Sequence, residues 1–171
     1  MSRLSILLAT DFSADSLRMP AAALELFGDR LGEVIILHVI PRSLPIFPVM
    51  NSGSILAAPP LQAPPESDSE TSVAQEQLDR IRTEFGDRVR VRSLVKYGFP
   101  ATVICETASG QQADIVMLAS HGRRFLRRLL QGSTVQYVMN EAPCHVVILR
   151  HESSARPARR HRSSLMESGQ R

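Results

Sequence analysis

Two stretches of the chain combine residue types that could hold a phosphorylated ligand. Residues 115–118, IVML, form a short apolar run that gives way to Ala119, Ser120, His121 and Gly122, which are small or polar. Nine residues later Gly132 and Ser133 stand immediately before the helix-like run TVQYVMNEA. A buried strand that ends this way, followed by Gly-Ser at a helix start, presents backbone N–H groups to phosphate oxygens. Gly122 and Gly132 leave no Cβ where such oxygens would approach, and Ser133 adds a hydroxyl. The second stretch is ATDFS, in which Asp11 follows the apolar run of residues 4–9. A carboxylate there can accept two hydrogen bonds from a vicinal diol, as acidic residues do against ribose in dinucleotide-binding folds. The two stretches describe a nucleotide site if the fold brings them together.

The pattern of elements says that it does. Apolar runs at residues 4–9, 34–39, 89–95, 115–118 and 145–149 read as strands, and they alternate with helical spacing. The first helix is expected from Ser13 as N-cap to Phe27, with Leu17, Ala21, Leu24 and Phe27 on one face and Pro20 kinking or delaying it. Ala74, Leu78, Ile81 and Phe85 share a face of the second helix, expected over residues 71–85. The third, residues 101–109, has Pro100 at its first turn and Val103, Ile104 and Ala108 at core spacing. The fourth, residues 134–140, points Val135, Val138 and Met139 inward. The run VRVRSLV alternates apolar and basic residues at its start, as an edge strand with one wet face does. Such alternation of strand and helix predicts an α/β fold, a doubly wound open parallel five-stranded sheet with helices on both faces. Ligands sit at the carboxyl edge of such sheets where strand order reverses, here between the first and fourth strands.

Composition bounds the rest. One domain over residues 1–150 is expected, interrupted by a Pro-rich irregular insertion at about 41–69 that also carries Leu44, Ile46, Phe47, Val49 and Met50. Residues 1–150 carry 15 basic and 15 acidic side chains, so the net charge of +3 comes from residues 151–171, with five Arg against Glu152 and Glu167. That basic C-terminal tail is expected to be disordered. No secretory signal or membrane-length apolar run stands out, and a soluble cytoplasmic protein is expected. Cys105 and Cys144 lack metal-ligand spacing and read as reduced, small core residues. His38, alone at a strand end, reads as a hydrogen-bonded structural residue rather than a metal ligand.

In its motifs the sequence resembles the universal stress protein family. That family carries G-x-x-G, nine residues, then G-[S/T], and Ala119-Ser-His-Gly122 followed by Gly132-Ser133 stands in register with it. ILLATDFS, VIILHVI, YGFPATVICETA, ADIVMLASHGR and GSTVQYVMNEAPCHVVIL match in the same order, so the resemblance covers nearly all of residues 4–150. It implies strand order 3-2-1-4-5 and a homodimer through the last strand, His145, Val146, Val147, Ile148 and Leu149. It also implies ATP, with or without Mg2+, as the ligand of ATP-binding members. Residues matching Ala9, Thr10, Asp11 and Val39 then surround adenine and ribose, and those matching Leu118, Ala119, His121, Gly122, Gly132, Ser133 and Thr134 hold ribose and phosphates. Ala119 replaces the first motif glycine. If that backbone needs positive φ, its methyl group costs on the order of 1 kcal/mol, roughly fivefold to tenfold in affinity; if φ is negative the cost vanishes.

Three other classes compete with a nucleotide-dependent regulator or sensor. A hydrolase would draw on Asp11, His121 and Ser133, but no G-x-S-x-G elbow or second acid orients them, and no enzyme is expected. Nucleic-acid binding would rest on the tail segment ARPARRHR alone, against a neutral remainder. The third class is a dimeric interaction scaffold that binds no nucleotide. Arg123, Arg124, Arg127 and Arg128 read as a solvated basic face or as a partner for a γ-phosphate, and Phe125 as a residue closing over the site.

Overall fold

The computed structural model describes residues 3–42, 67–120 and 134–150. Five strands, β1 (Leu4–Thr10), β2 (Leu31–Pro41), β3 (Arg90–Gly98), β4 (Ile115–Ser120) and β5 (His145–Arg150), form one parallel sheet in the order β3-β2-β1-β4-β5. Among the described residues, four α-helices connect them: α1 (Met19–Phe27), α2 (Asp68–Thr83), α3 (Pro100–Gly110) and α4 (Thr134–Glu141). The order reverses between β1 and β4, where the polar strand exits lie.

The apolar runs are continuous because the inner strands are covered on both faces. Leu7, Ile35, Leu37, Val116 and Leu118 pack with Val103, Ile104 and Ala108 of α3 and with Val135 and Val138 of α4. Their sequence neighbours Ile6, Leu8, Val34, Ile36, Ile115 and Met117 point the other way, onto Met19 and Ala23 of α1 and Leu78 and Ile81 of α2. This two-residue alternation divides one sheet between two cores. Tight connections fix the ends. Asp114 Oδ2 accepts from Ser5 N–H at 2.8 Å, and Asp114 N–H donates to the Ser5 carbonyl at 2.9 Å. Gly98, at φ 139°, turns β3 directly into α3, and a Cβ there would meet Val103 Cγ2 at 2.9 Å.

Several boundaries differ from expectation. A 3-10 turn at Ser16–Arg18 precedes α1, which places Pro20 in the first helical turn, where its missing N–H is harmless. The helix is delayed rather than kinked. Because a 3-10 turn advances three residues per turn, it shifts the phase. Met19, Pro20 and Ala23 are buried, whereas Leu17 is exposed and Ala21 faces solvent. Met139, expected inward, is 58% exposed, since Val135 and Val138 alone complete the buried stripe of the short α4. β2 runs through Pro41 and α2 begins at Asp68, so ordered structure enters both ends of the expected insertion. Its middle, the basic tail, His121, Gly122, the four Arg residues from 123 to 128, Phe125, Gly132 and Ser133 lie outside the described residues.

Candidate functional site

β1 ends at Thr10, and a locked turn carries the chain into α1. Thr10 is buried, and its hydroxyl shares a 2.9 Å hydrogen bond with Ser16 Oγ and accepts Phe12 N–H at 3.0 Å. Asp11 Oδ1 accepts Ser13 N–H at 3.0 Å, an Asx turn that fixes the carboxylate at the strand exit. Ser13 in turn receives Ser16 Oγ–H on its carbonyl at 3.0 Å and Leu17 N–H at 3.0 Å. On the neighbouring strand, His38 Nδ1 lies 2.9 Å from the Thr10 carbonyl. A carbonyl can only accept, so Nδ1 carries the hydrogen. The structural role read for His38 is what the structure shows.

Beside this turn, at the carboxyl ends of β1, β2 and β4, lies a cavity of about 580 Å3. Its wall contains Ala9, Thr10 and Asp11 from β1 and its exit, Leu37, His38, Val39 and Pro41 from β2, and Leu118 and Ala119 from β4. Ser16, Pro100 and Ile104 add to it, and Thr134 and Val135, the first residues of α4, close one side. A volume in the range of roughly 300–1,000 Å3 with mostly apolar walls and few polar groups is what small-molecule sites have. Asp11 is the one carboxylate in the described wall, and the N-terminal end of α4 adds the positive end of its dipole.

Of the residues selected from sequence, Ala9, Thr10, Asp11, Val39, Leu118, Ala119 and Thr134 come together in this wall. His121, Gly122, Gly132 and Ser133 fall outside the described residues. Ala119 does not follow the strand, which the sequence had placed at residues 115–118, but lies within β4, with Leu149 as its register partner. Positive φ among described non-glycine residues is confined to Phe12 and Gln112. Sequence reasoning did not select Ser16, Leu37, His38, Pro41, Pro100, Ile104 and Val135 for the site. Most of them are core or cap residues by pattern, and only strand register and helix position bring their outer ends to the cavity. Among the described residues no cluster of three His, Cys, Asp or Glu could hold a metal ion.

A doubly wound parallel sheet with a ligand-sized cavity at its switch point belongs to the α/β class whose ligand sites lie at the carboxyl edge of the strands. The model of the universal stress protein family matches residues 3–150, and the chain belongs to that family. Universal stress protein MJ0577 of Methanocaldococcus jannaschii is 26% identical over 85 residues, 49% of this chain and 52% of that protein. The matching segment thus spans about half the length of that curated relative. Among solved structures, a universal stress family protein from Arabidopsis thaliana with AMP bound has a TM-score of 0.57 at 15% identity, covering 91% of this chain and 97% of that one. The universal stress protein from Archaeoglobus fulgidus in complex with dAMP has a TM-score of 0.59 at 18% identity, covering 87% and 99%. These two likenesses carry the fold. No helix among the described residues is long and apolar enough to cross a membrane.

Proposed function

We propose that this protein binds ATP, with or without Mg2+, in the cavity at the carboxyl edge of the sheet. In this reading it acts as a nucleotide-dependent regulator or sensor of the stress response, through dimerisation and partner binding. The observation that carries the reading is the cavity itself: it draws seven residues chosen from sequence, from three strands and a helix, into one wall of ligand size. Its apolar part, Ala9, Leu37, Val39, Ile104 and Val135, suits the faces of a purine ring. Asp11 suits the sugar hydroxyls, and Thr134 at the start of α4 suits a phosphate. The relatives bound to AMP and to dAMP share the adenine group, which supports an adenine nucleotide as the class of ligand. The role proposed is binding rather than turnover.

Titration calorimetry of the purified full-length protein with ATP tests the proposal, together with an absorbance spectrum of the supernatant after denaturation. Saturable heat, or adenine released on denaturation, is the expected result. No heat at millimolar ATP and no released adenine would replace the nucleotide reading with that of a dimeric interaction scaffold.

A further inference from the structure

Asp11 sits between two residues that a single side chain holds. On one side is Thr10, the last residue of β1, whose carbonyl has run out of strand ladder and is satisfied by His38 Nδ1–H at 2.9 Å. On the other side is Phe12, at φ 60°, a left-handed conformation that a bulky residue adopts only when its surroundings impose it. The Phe12 ring lies against the His38 imidazole, with centroids 4.2 Å apart and planes inclined by 28°. His38 is opposite Thr10 in the β1–β2 register, so it is delivered to this spot by the most regular part of the sheet. It therefore ties an exposed turn to a rigid strand at both flanks of one carboxylate.

We propose that His38 is a positioning residue for the nucleotide site: by gripping Thr10 and Phe12 it fixes where the Asp11 carboxylate meets the sugar hydroxyls, and so sets the preference for a ribose diol. This rests on the reading of the cavity as an ATP site. A carboxylate on a turn recognises a diol only if its place is held to within a fraction of an ångström, and the supporting contacts rather than the ligand must hold it. His38 also separates the cavity from a second groove of about 380 Å3 that Phe12 lines together with Val73, Ala74 and Gln77 of α2. Phe12 lines that groove and not the nucleotide cavity, so a change at Phe12 reaches the ligand through the turn or through His38.

The test compares ATP with 2′,3′-dideoxyATP by calorimetry on the full chain, for the native protein, His38→Phe and Phe12→Ala, with thermal unfolding as a check of folding. His38→Phe keeps a ring against Phe12 and removes the donor to Thr10; Phe12→Ala keeps the donor and removes the ring. The native protein is expected to prefer ATP, and each variant to lose at least about fivefold of that preference; for Phe12→Ala, which lies outside the cavity wall, dideoxyATP binding is expected to change by less than about twofold. A preference left intact in the variants, or ATP and dideoxyATP weakened equally, overturns the positioning role. Should His38→Phe fail to fold, Phe12→Ala alone decides by the same criterion. A native protein that binds neither nucleotide overturns the ATP reading itself, whereas a native protein that binds both equally overturns only the role given to Asp11 and His38.

Discussion

Ala119 stands where the family motif carries its first glycine, and its backbone conformation removes the need for one. It lies in β4 opposite Leu149, and extended backbone accepts a methyl group without strain. Replacing Ala119 with Gly is therefore expected to change ATP affinity by less than about threefold, while lowering stability by about 0.5–1 kcal/mol because glycine loses more freedom on entering a strand. Calorimetry and urea unfolding measure the two effects, and a large gain in affinity would show that the methyl group obstructs the ligand. The two thiols give a second prediction. Burial pushes the Cys105 thiol up, with the charges of Glu141, Cys144 and Glu106 adding to it. Burial also raises Cys144, helped by Asp114 and partly offset by a backbone hydrogen bond from Val116. Both are thus protonated at neutral pH, and iodoacetamide should modify them at least about tenfold more slowly in the native protein at pH 7.5 than in urea, as followed by mass spectrometry. The sign for stability follows. The folded thiols hold their protons more tightly than the unfolded ones, so their contribution is complete below the ordinary value of 9.0 and is lost as pH rises from there through the folded values.

The elements show which parts of the fold a sequence can carry. Ala74, Leu78 and Ile81 were legible as one face of α2 because a long helix repeats its spacing over several turns, and all three are buried; Phe85, expected on the same face, lies just past the end of the helix and is buried as well. The start of α1 was not legible, since the 3-10 turn at Ser16–Arg18 depends on hydrogen bonds to Ser13 and Thr10 that the spacing of apolar residues does not encode. The site divides in the same way. Asp11 and Ala119 are marked by strand ends, whereas the place of His38 beside Asp11 follows from the pairing of β1 with β2, a long-range fact. The same holds for Tyr97, which no local pattern singles out. Its hydroxyl donates to the Ser67 carbonyl at 3.1 Å and lies 2.8 Å from Thr71 Oγ1, and the Arg42 guanidinium sits over its ring at 4.6 Å. One side chain of β3 thus ties down the chain just after β2 and the first turn of α2, at the two ends of the Pro-rich segment. Tyr97→Phe keeps the ring and deletes both hydroxyl contacts, so it should cost about 1–2 kcal/mol. In hydrogen exchange the loss of protection should be concentrated at residues 70–73; uniform loss across the sheet would show that the hydroxyl acts on the whole fold instead.

At the scale of the molecule the two sheet edges are unlike. The edge strand β3 carries Arg90, Arg92 and Lys96, and charges of this kind keep an edge from pairing with another chain. Arg90 and Arg92 are further engaged by Glu33 at 3.7 and 2.8 Å. The other edge, β5, presents Val146, Val147, Ile148 and Leu149 in succession, half-buried and without a charge until Arg150. An apolar strand without edge charges is a template for a second strand. The homodimer proposed through His145 to Leu149 rests on this asymmetry: among the described residues, β5 lacks the edge charges that β3 carries. Sedimentation equilibrium of the full chain should then give a mass about twice the 18.9 kDa of one chain. Because a dimer dissociates as it unfolds, Tm should also rise with protein concentration, whereas the Tm of a monomer would not. A single-chain mass at every concentration together with a constant Tm would remove the dimer. It would also leave any regulatory signal from the cavity to be read through the helices rather than across β5.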